Sequence, residues 1–536
     1  METKELDYLI QNAMIVDGSG KPAYRGNVGI RDGKLCMNPK TEARQVIEGK
    51  GLLLCPGFID SHSHTDRYIG SRPETISLCK ISQGITTEIT GQCGSSLFPV
   101  PPDKRKDMHD FFTEDINEEQ LRNVSRFESF ETWLKFVSEQ KLVGNFAFLQ
   151  GHGTLRLAAM GYANRKASDE ELCKMKEMLK ESMEHGCMGL SSGLIYVPGV
   201  YADTQELIEL CKVIKPYGGI YATHMRSESD HVAKAVKEAI LIAKSADVPL
   251  FISHHKVCGI QNWGASKETL QLVEEAIREG VKITMDQYPY TASQTGLCQC
   301  LPPKYFEGGA KGAAQLLKDP KLREIMKCEM TQVPCSYNNS YQNAGGFEGI
   351  MILFSPRVPE AEGLRLSEYA DQIGKDPFEA YFDLMVANEG VGSGAFFCID
   401  EKELDSIYLN ENTVVGTDGL VGSEEGPVHP RAYGSLVRAL VYFSKKKKLL
   451  TFEKAVRKET ALTAERWGLK NKGRIAEGMD ADLVLLDYDK LEDKADFINC
   501  RALCEGIEKV FVGGALSYEN HRILPAYAGK VILRGQ

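Results

Sequence analysis

The chain has 536 residues, with 64 Lys plus Arg against 74 Asp plus Glu for a net charge of -10, and it is 43% apolar and 26% charged. That balance leaves ample length for a core, offers no overall basic field to a polyanion, and excludes a long disordered or fibrous tract. Nucleic acid is therefore not an expected partner. The acidic start Met1-Glu2-Thr3-Lys4-Glu5 and the lack of any apolar run near the roughly 18 residues of a membrane span argue against a signal peptide and against membrane insertion, so a cytoplasmic location is expected. Fifteen cysteines without a Cys-x-x-Cys pair read as reduced thiols, Cys298 and Cys300 included.

In chain order, Tyr8 to Val16, Asn27 to Arg31 and Lys34 to Met37 read as strands, with Asp32-Gly33 as a turn. Ala481 to Asp487 and Lys509 to Val512 have the same texture, with Gly513-Gly514 as a turn. Neither end has enough strands to bury a sheet face alone, so residues 1–55 and 470–536 are expected to build one small β-sandwich together. Between them eight short apolar runs end near His64, Gly91, His152, Ser192, His224, His254, Asp286 and Asp418. Apolar spacings of three and four predict helices over Glu206 to Ile214, His231 to Lys244 and Lys267 to Glu279. Eight strand-helix units predict a closed (β/α)8 barrel over 56–469. The interval 291–354 is too long for a connection and reads as an inserted subdomain or lid.

In Phe58-Ile59-Asp60-Ser61-His62-Ser63-His64 a strand period of two puts Asp60, His62 and His64 on one face, with both imidazoles directed into the barrel mouth. His224, His254 and Asp418 each close a predicted strand at its carboxyl end, where a barrel builds its active site. Packing alone would place apolar residues at such positions, so four histidines and an aspartate there point to a metal site. Cys93, in Gly91-Gln92-Cys93-Gly94, reads equally as a thiolate ligand and as a small buried hydrophobe. As a ligand beside His224 and His254 it leaves a tetrahedral zinc one open position, the pattern of a catalytic site. Zinc so held activates water and polarises a carbonyl, which suits hydrolysis of a carbon-nitrogen bond, with Asp418 as general base and then acid.

Tyr196, Lys256, Tyr288 and Arg431 lie near the same rim, where cations and phenols suit a substrate carboxylate. Gly189-Leu190-Ser191-Ser192-Gly193 matches a nucleophile elbow but lacks the helix that such a serine must start. Lys445 to Lys448 reads as a solvated helix end or loop. His255 is expected on the opposite side of its strand from the site. His152 is open between substrate contact and a hydrogen-bonded loop.

The chain resembles the amidohydrolase superfamily, and within it the N-acyl-D-amino-acid deacylases, over nearly its whole length. The resemblance is carried by Pro56-Gly57-Phe58-Ile59-Asp60-Ser61-His62-Ser63-His64, Gly151-His152-Gly153-Thr154, Gly189-Leu190-Ser191-Ser192-Gly193, Thr223-His224-Met225-Arg226-Ser227-Glu228, Ser253-His254-His255-Lys256, Asp286-Gln287-Tyr288-Pro289-Tyr290 and Gly478-Met479-Asp480-Ala481-Asp482. It implies a (β/α)8 TIM-like metal-dependent hydrolase barrel with a small β-sandwich domain, and a zinc held tightly by Cys93, His224 and His254. His62 and His64, with Cys93 and Asp418, would outline a second, weaker metal position. Asp418 is implied as the catalytic acid/base, and Tyr196, Lys256, Tyr288 and Arg431 as holding the substrate carboxylate. Ser191 stands where many binuclear relatives carry a carboxylated lysine. Thr417 replaces a usual serine, with little effect expected, and the stretch Leu420 to Val428 lacks histidines common there. The expected activity is zinc-dependent hydrolysis of N-acyl-D-amino acids to a carboxylate and a D-amino acid. A cyclic amidase of the dihydroorotase or hydantoinase type is the alternative, and a barrel scaffold without catalysis ranks below both.

Overall fold

The computed structural model describes residues 5–112, 118–421 and 426–535. Eight parallel strands form a barrel: β1 (Phe58–Asp60), β2 (Ile85–Thr90), β3 (Asn145–Phe148, carried on by Gln150–Gly151), β4 (Gly189–Gly193), β5 (Ile220–His224), β6 (Leu250–Ile252), β7 (Ile283–Gln287) and β8 (Thr413–Val415). β1 to β3 pair in sequence order, as do the continuation of β3 and β4 to β8. The ring closes where Ser61 N donates to Val415 O at 3.3 Å and Asp418 N donates to His62 O at 2.8 Å. Every strand is where the apolar runs predict it.

Inside the barrel, Ile59, Ile89, Leu149, Met188, Ala222, Phe251 and Val414 form one apolar layer. Trp467, in the helix Ala461–Trp467, packs tilted against Phe251 with ring centroids 4.7 Å apart and closes this layer from the amino-terminal end. Apolar burial is thus spent low in the barrel, and the carboxyl-terminal mouth is free to carry polar groups. The outer helices include Thr204–Ile214, Val232–Ala246 and Ser266–Arg278. The first begins where Asp203 accepts from Glu206 N at 2.9 Å, and it buries Leu207, Leu210, Cys211 and Ile214 at helical spacing.

Nine strands from both chain ends make a single sheet. Leu483, Leu485 and Phe511 join Ile10, Val28 and Leu54 in one core, whereas Val484, Leu486, Val510 and Val512 face Phe58 and Val456 on the barrel side. This is the period-two alternation of a sheet buried on both faces. Val28 and Phe511 share a core although their strands are far apart in the sheet order, so the sheet curls upon itself as a small sandwich. Asp32 and Gly33 both have positive φ, 51° and 74°, as the predicted two-residue hairpin requires.

Above the mouth lies a three-stranded antiparallel sheet of Ala292–Gly296, Ile350–Phe354 and Ser393–Phe397. Its central strand is Ser393–Phe397, so the covering layer draws on chain beyond the 291–354 interval. No helix among the described residues is long and apolar enough to cross a membrane.

Glu459 ends the helix Phe452–Glu459, fully buried, with neither carboxyl oxygen hydrogen-bonded among the described residues. Burial pushes its carboxyl well above the usual range. The native state therefore retains a proton that the unfolded chain releases, so stability is whole below the unfolded value, about 4.3, and is lost as pH rises from there through the folded value. Glu459→Gln is expected to stabilise the fold at about pH 8 by roughly 1–3 kcal/mol and to leave it unchanged near pH 4. Thermal unfolding at the two pH values checks this, and an equal shift at both would refute it.

Candidate metal centre and active site

Cys93, His254 and Asp418 each follow a barrel strand, and each has a positive φ, 53°, 37° and 48° respectively. Non-glycine residues avoid this region, and holding one there costs on the order of 1–3 kcal/mol. Neighbouring strands impose it. Gly91 and Gly94 flank Cys93 at φ of 73° and 75°, and a side chain on either would strike Leu149 O at 2.2 Å or Gly193 N at 2.6 Å. Ser191 of β4 completes the clamp: its Oγ donates to Gly91 O at 2.5 Å and accepts from Gly94 N at 3.1 Å. The Ser191 hydroxyl is thus committed to shaping the Cys93 turn.

The turn brings Cys93 Sγ to 3.3 Å from His62 Nε2, 3.3 Å from His254 Nε2 and 3.9 Å from His224 Nδ1. Sulfur and nitrogen ligands on one tetrahedral zinc stand about 3.6 Å apart, given Zn–S near 2.3 Å and Zn–N near 2.0–2.1 Å. The thiol therefore stands at ligand spacing from each imidazole, and the donors fall into two overlapping groups that share His254: His62, Cys93, His254 and Asp418, and His224, Glu228 and His254. Asp418 Oδ1 lies 3.0 Å from His64 Nε2 and 3.4 Å from His62 Nε2, so all six predicted metal and acid/base residues converge. Burial, reinforced by Lys256, holds His254 well below its usual pKa, and burial takes His224 down to about 4. Both imidazoles are neutral near pH 7, the state a ligand requires.

Asp60 departs from the expected pattern. β1 ends at Asp60, so strand alternation no longer governs His62 and His64. The Asp60 carboxylate instead receives His62 N at 3.2 Å, Thr417 N at 2.8 Å and Lys80 Nζ at 2.7 Å, away from the donor cluster. Thr417 Oγ1 also bonds Asp60 and Lys80, at 2.7 and 2.6 Å, a hydroxyl role that serine fills equally. Residues 422–425 of the histidine-poor stretch lie outside the described residues.

Burial is the largest influence on Asp418 and raises its carboxyl pKa, but Arg431, His254, His62 and the His64 bond together hold it well below the carboxylate range. It is ionised at neutral pH and able to accept a proton. Arg431 Nη1 pairs with Asp418 Oδ2 at 2.7 Å, and Lys256 Nζ donates to Glu228 Oε1 at 2.6 Å. Both cations face the ring of Tyr288, at 4.8 and 5.5 Å, and the buried Tyr288 hydroxyl has no hydrogen-bond partner among the described residues. Tyr196 packs edge-on against His224 at 4.8 Å and accepts from Thr295 Oγ1 at 3.3 Å. These four surround the cluster from the side of the covering sheet.

Two carboxylates not assigned a role from sequence support the imidazoles. Glu228 lies 3.0 Å from His254 Nδ1 and 3.5 Å from His224 Nε2, while Asp286 lies 3.6 Å from His62 Nδ1 and accepts His254 N at 2.7 Å. Outer carboxylates of this kind orient metal-binding imidazoles. The signal for Glu228 was its place four residues after His224. His152 opens the helix His152–Met160 and bonds Glu206 at 2.7 Å, which makes it structural. His255 turns away to Thr269 Oγ1 at 2.9 Å, as expected. Lys445 and Lys447 contact Tyr488 O and Asp405.

The description "Amidohydrolase family" matches residues 45–327 and 410–518. The chain belongs to this family. It is 32% identical over 536 residues to the D-aminoacylase of Alcaligenes xylosoxydans xylosoxydans, covering 99% of each chain. The N-acyl-D-aspartate deacylase of the same organism is also 32% identical, over 99% of this chain and 96% of the relative, and its N-acyl-D-glutamate deacylase is 32% identical over 95% and 93%. Among solved structures, the N-acyl-D-glutamate deacylase of Bordetella bronchiseptica complexed with zinc and a phosphonate inhibitor superposes with a TM-score of 0.82 at 29% identity, over 99% of this chain and all of the other. D-hydantoinase, at 16% identity, covers 98% of this chain and 99% of its own with a TM-score of 0.55, and shares the fold.

Cys93→Ala is expected to release the bound metal, Asp418→Asn to retain it, and Glu228→Gln to weaken metal affinity by about 10–100-fold. Metal content after dialysis and competitive chelator titration measure all three. Full retention by Cys93→Ala would remove the thiolate from the ligand set.

Proposed function

We propose that this protein is a zinc-dependent deacylase that hydrolyses the amide bond of N-acyl-D-amino acids, releasing a carboxylate and a free D-amino acid. The observation that carries the proposal is the gathering of the His62, His224 and His254 imidazoles around the Cys93 thiol beside the ionised Asp418. Similarity to D-aminoacylase over 99% of both chains supports the linear D-substrate.

Cys93, His224 and His254 would hold the principal ion, with His62, His64, Cys93 and Asp418 outlining a weaker second position. Zinc bound there supplies a Lewis acid that polarises the amide carbonyl and makes water acidic enough to attack near neutral pH. Asp418 accepts the proton from that water and returns it to the departing nitrogen, which leaves as an amine. Arg431 restrains the Asp418 carboxylate through Oδ2, so Oδ1 remains directed at the cluster. Lys256, Arg431, Tyr288 and Tyr196 receive the substrate's α-carboxylate, which fixes the scissile bond relative to the attacking water. Glu228 and Asp286 keep the imidazoles oriented throughout.

The cyclic-amidase alternative is disfavoured by Ser191, whose hydroxyl is committed to the Cys93 turn where a bridging carboxylated lysine would stand. The unpaired thiols support a reducing cytoplasmic setting.

Zinc-loaded protein is expected to hydrolyse N-acetyl-D-amino acids and to leave the L-enantiomers essentially intact, with Asp418→Asn lowering kcat by about 10²–10⁴-fold. A chiral assay of the released amino acid checks both. No D-amino acid released from any acyl substrate, or full activity after zinc is stripped, would overturn the assignment.

A further inference from the structure

At the same 32% identity one relative is named simply a D-aminoacylase and two are named for D-aspartate and D-glutamate derivatives, so similarity does not choose a side chain. The charges on the cavity walls do. Two cavities open from the cluster and share Tyr196, Gln294, Thr295 and Asp418 as common wall. Among the described residues, the cations lining them are Arg67, Lys256 and Arg431.

Lys256 and Arg431 make a single anion position. Each is paired to an acid, Glu228 or Asp418, and the two lie against the ring of one phenol, Tyr288, whose hydroxyl is buried and unpartnered among the described residues. Two cations set against one phenol ring suit one carboxylate, the α-carboxylate that every N-acyl amino acid carries. Arg67, already engaged, shares the outer cavity with one more charge, the Asp110 carboxylate, so its own charge is offset there. Beyond these the walls are neutral: the inner cavity presents Ser293, Ser340 and Asn343, and the outer one Val197, Leu301 and Phe306. Residues 113–117 and 422–425 contain no Lys or Arg and so bring no further cation.

Resting on the deacylase proposal, we infer that the substrates are N-acyl-D-amino acids whose side chain and acyl group are both uncharged. A second carboxylate placed in either cavity would lose its water without gaining a counter-charge, a cost of several kcal/mol for an ion in real proteins. The same walls accept an apolar or hydroxyl-bearing group without that loss. Selection against D-aspartate and D-glutamate derivatives thus comes from an absent cation as much as from the apolar lining.

The test is kcat/KM of the zinc-loaded full-length protein on N-acetyl-D-leucine, N-acetyl-D-methionine and N-acetyl-D-serine against N-acetyl-D-aspartate and N-acetyl-D-glutamate. The neutral compounds are expected to lead by at least about 100-fold. Gln294→Arg, which puts a cation on the shared wall outside the catalytic groups, is expected to narrow the gap by about tenfold or more. Acidic substrates turned over as well as neutral ones by the wild type would overturn the inference, and a gap unchanged in a folded Gln294→Arg variant would overturn charge as its cause. Hydrolysis of none of the D-compounds would instead bring down the deacylase proposal, and this inference with it.

Discussion

The backbone seam between the first and last barrel strands is the constraint on which the site depends. Asp418 N donates to His62 O, and Ser61 N to Val415 O, joining segments more than 350 residues apart. Asp60 reinforces the seam by binding Thr417 N and Lys80. Because His62 and His64 lie two and four residues beyond Asp60, and Asp418 follows Thr417, the same bonds that close the cylinder set the distance between imidazoles and carboxylate. Were the seam to slip by one residue, His62 and Asp418 would leave the centre together.

A second consequence concerns buried charge. Lys80, Asp60 and Glu88 are all buried beside the seam, and Lys256, Glu228, Asp418 and Arg431 are buried around the cluster. Each is paired, which keeps the desolvation cost within bounds, yet removing one partner from such a network costs about 3–5 kcal/mol. Stability and function are therefore coupled here. The pairs that hold Asp418 ionised also hold together a polar mouth that would otherwise fill with water, and the apolar layer capped by Trp467 supplies the cohesion that the mouth lacks.

Legibility from the residues differed by level. All eight barrel strands were readable, since a short apolar run bounded by polar residues has few alternatives to a buried parallel strand. The donor set was readable for a related reason: His, Cys and Asp at strand ends contradict packing, and the contradiction marks them. Asp60 was misplaced because the alternation rule was carried past the point where β1 stops. Glu228 went unassigned because it approaches His254 from a different loop, with no periodic signal joining them. The covering sheet was underestimated because its central strand, Ser393–Phe397, comes from beyond the interval whose length drew attention.

What the residues determined unaided was the inventory: barrel strands and their order, a terminal sandwich with turns at Asp32-Gly33 and Gly513-Gly514, and a thiol, imidazoles and a carboxylate at strand ends. These follow from local periodicity and side-chain chemistry, which act within a few residues. Tertiary structure alone decided the left-handed turns of Cys93, His254 and Asp418, the hydroxyl clamp of Ser191, and the convergence of Lys256 and Arg431 on Tyr288. Those features depend on distances between segments far apart in the chain. Only closure of the barrel brings such segments within the few ångströms over which hydrogen bonds and charges act.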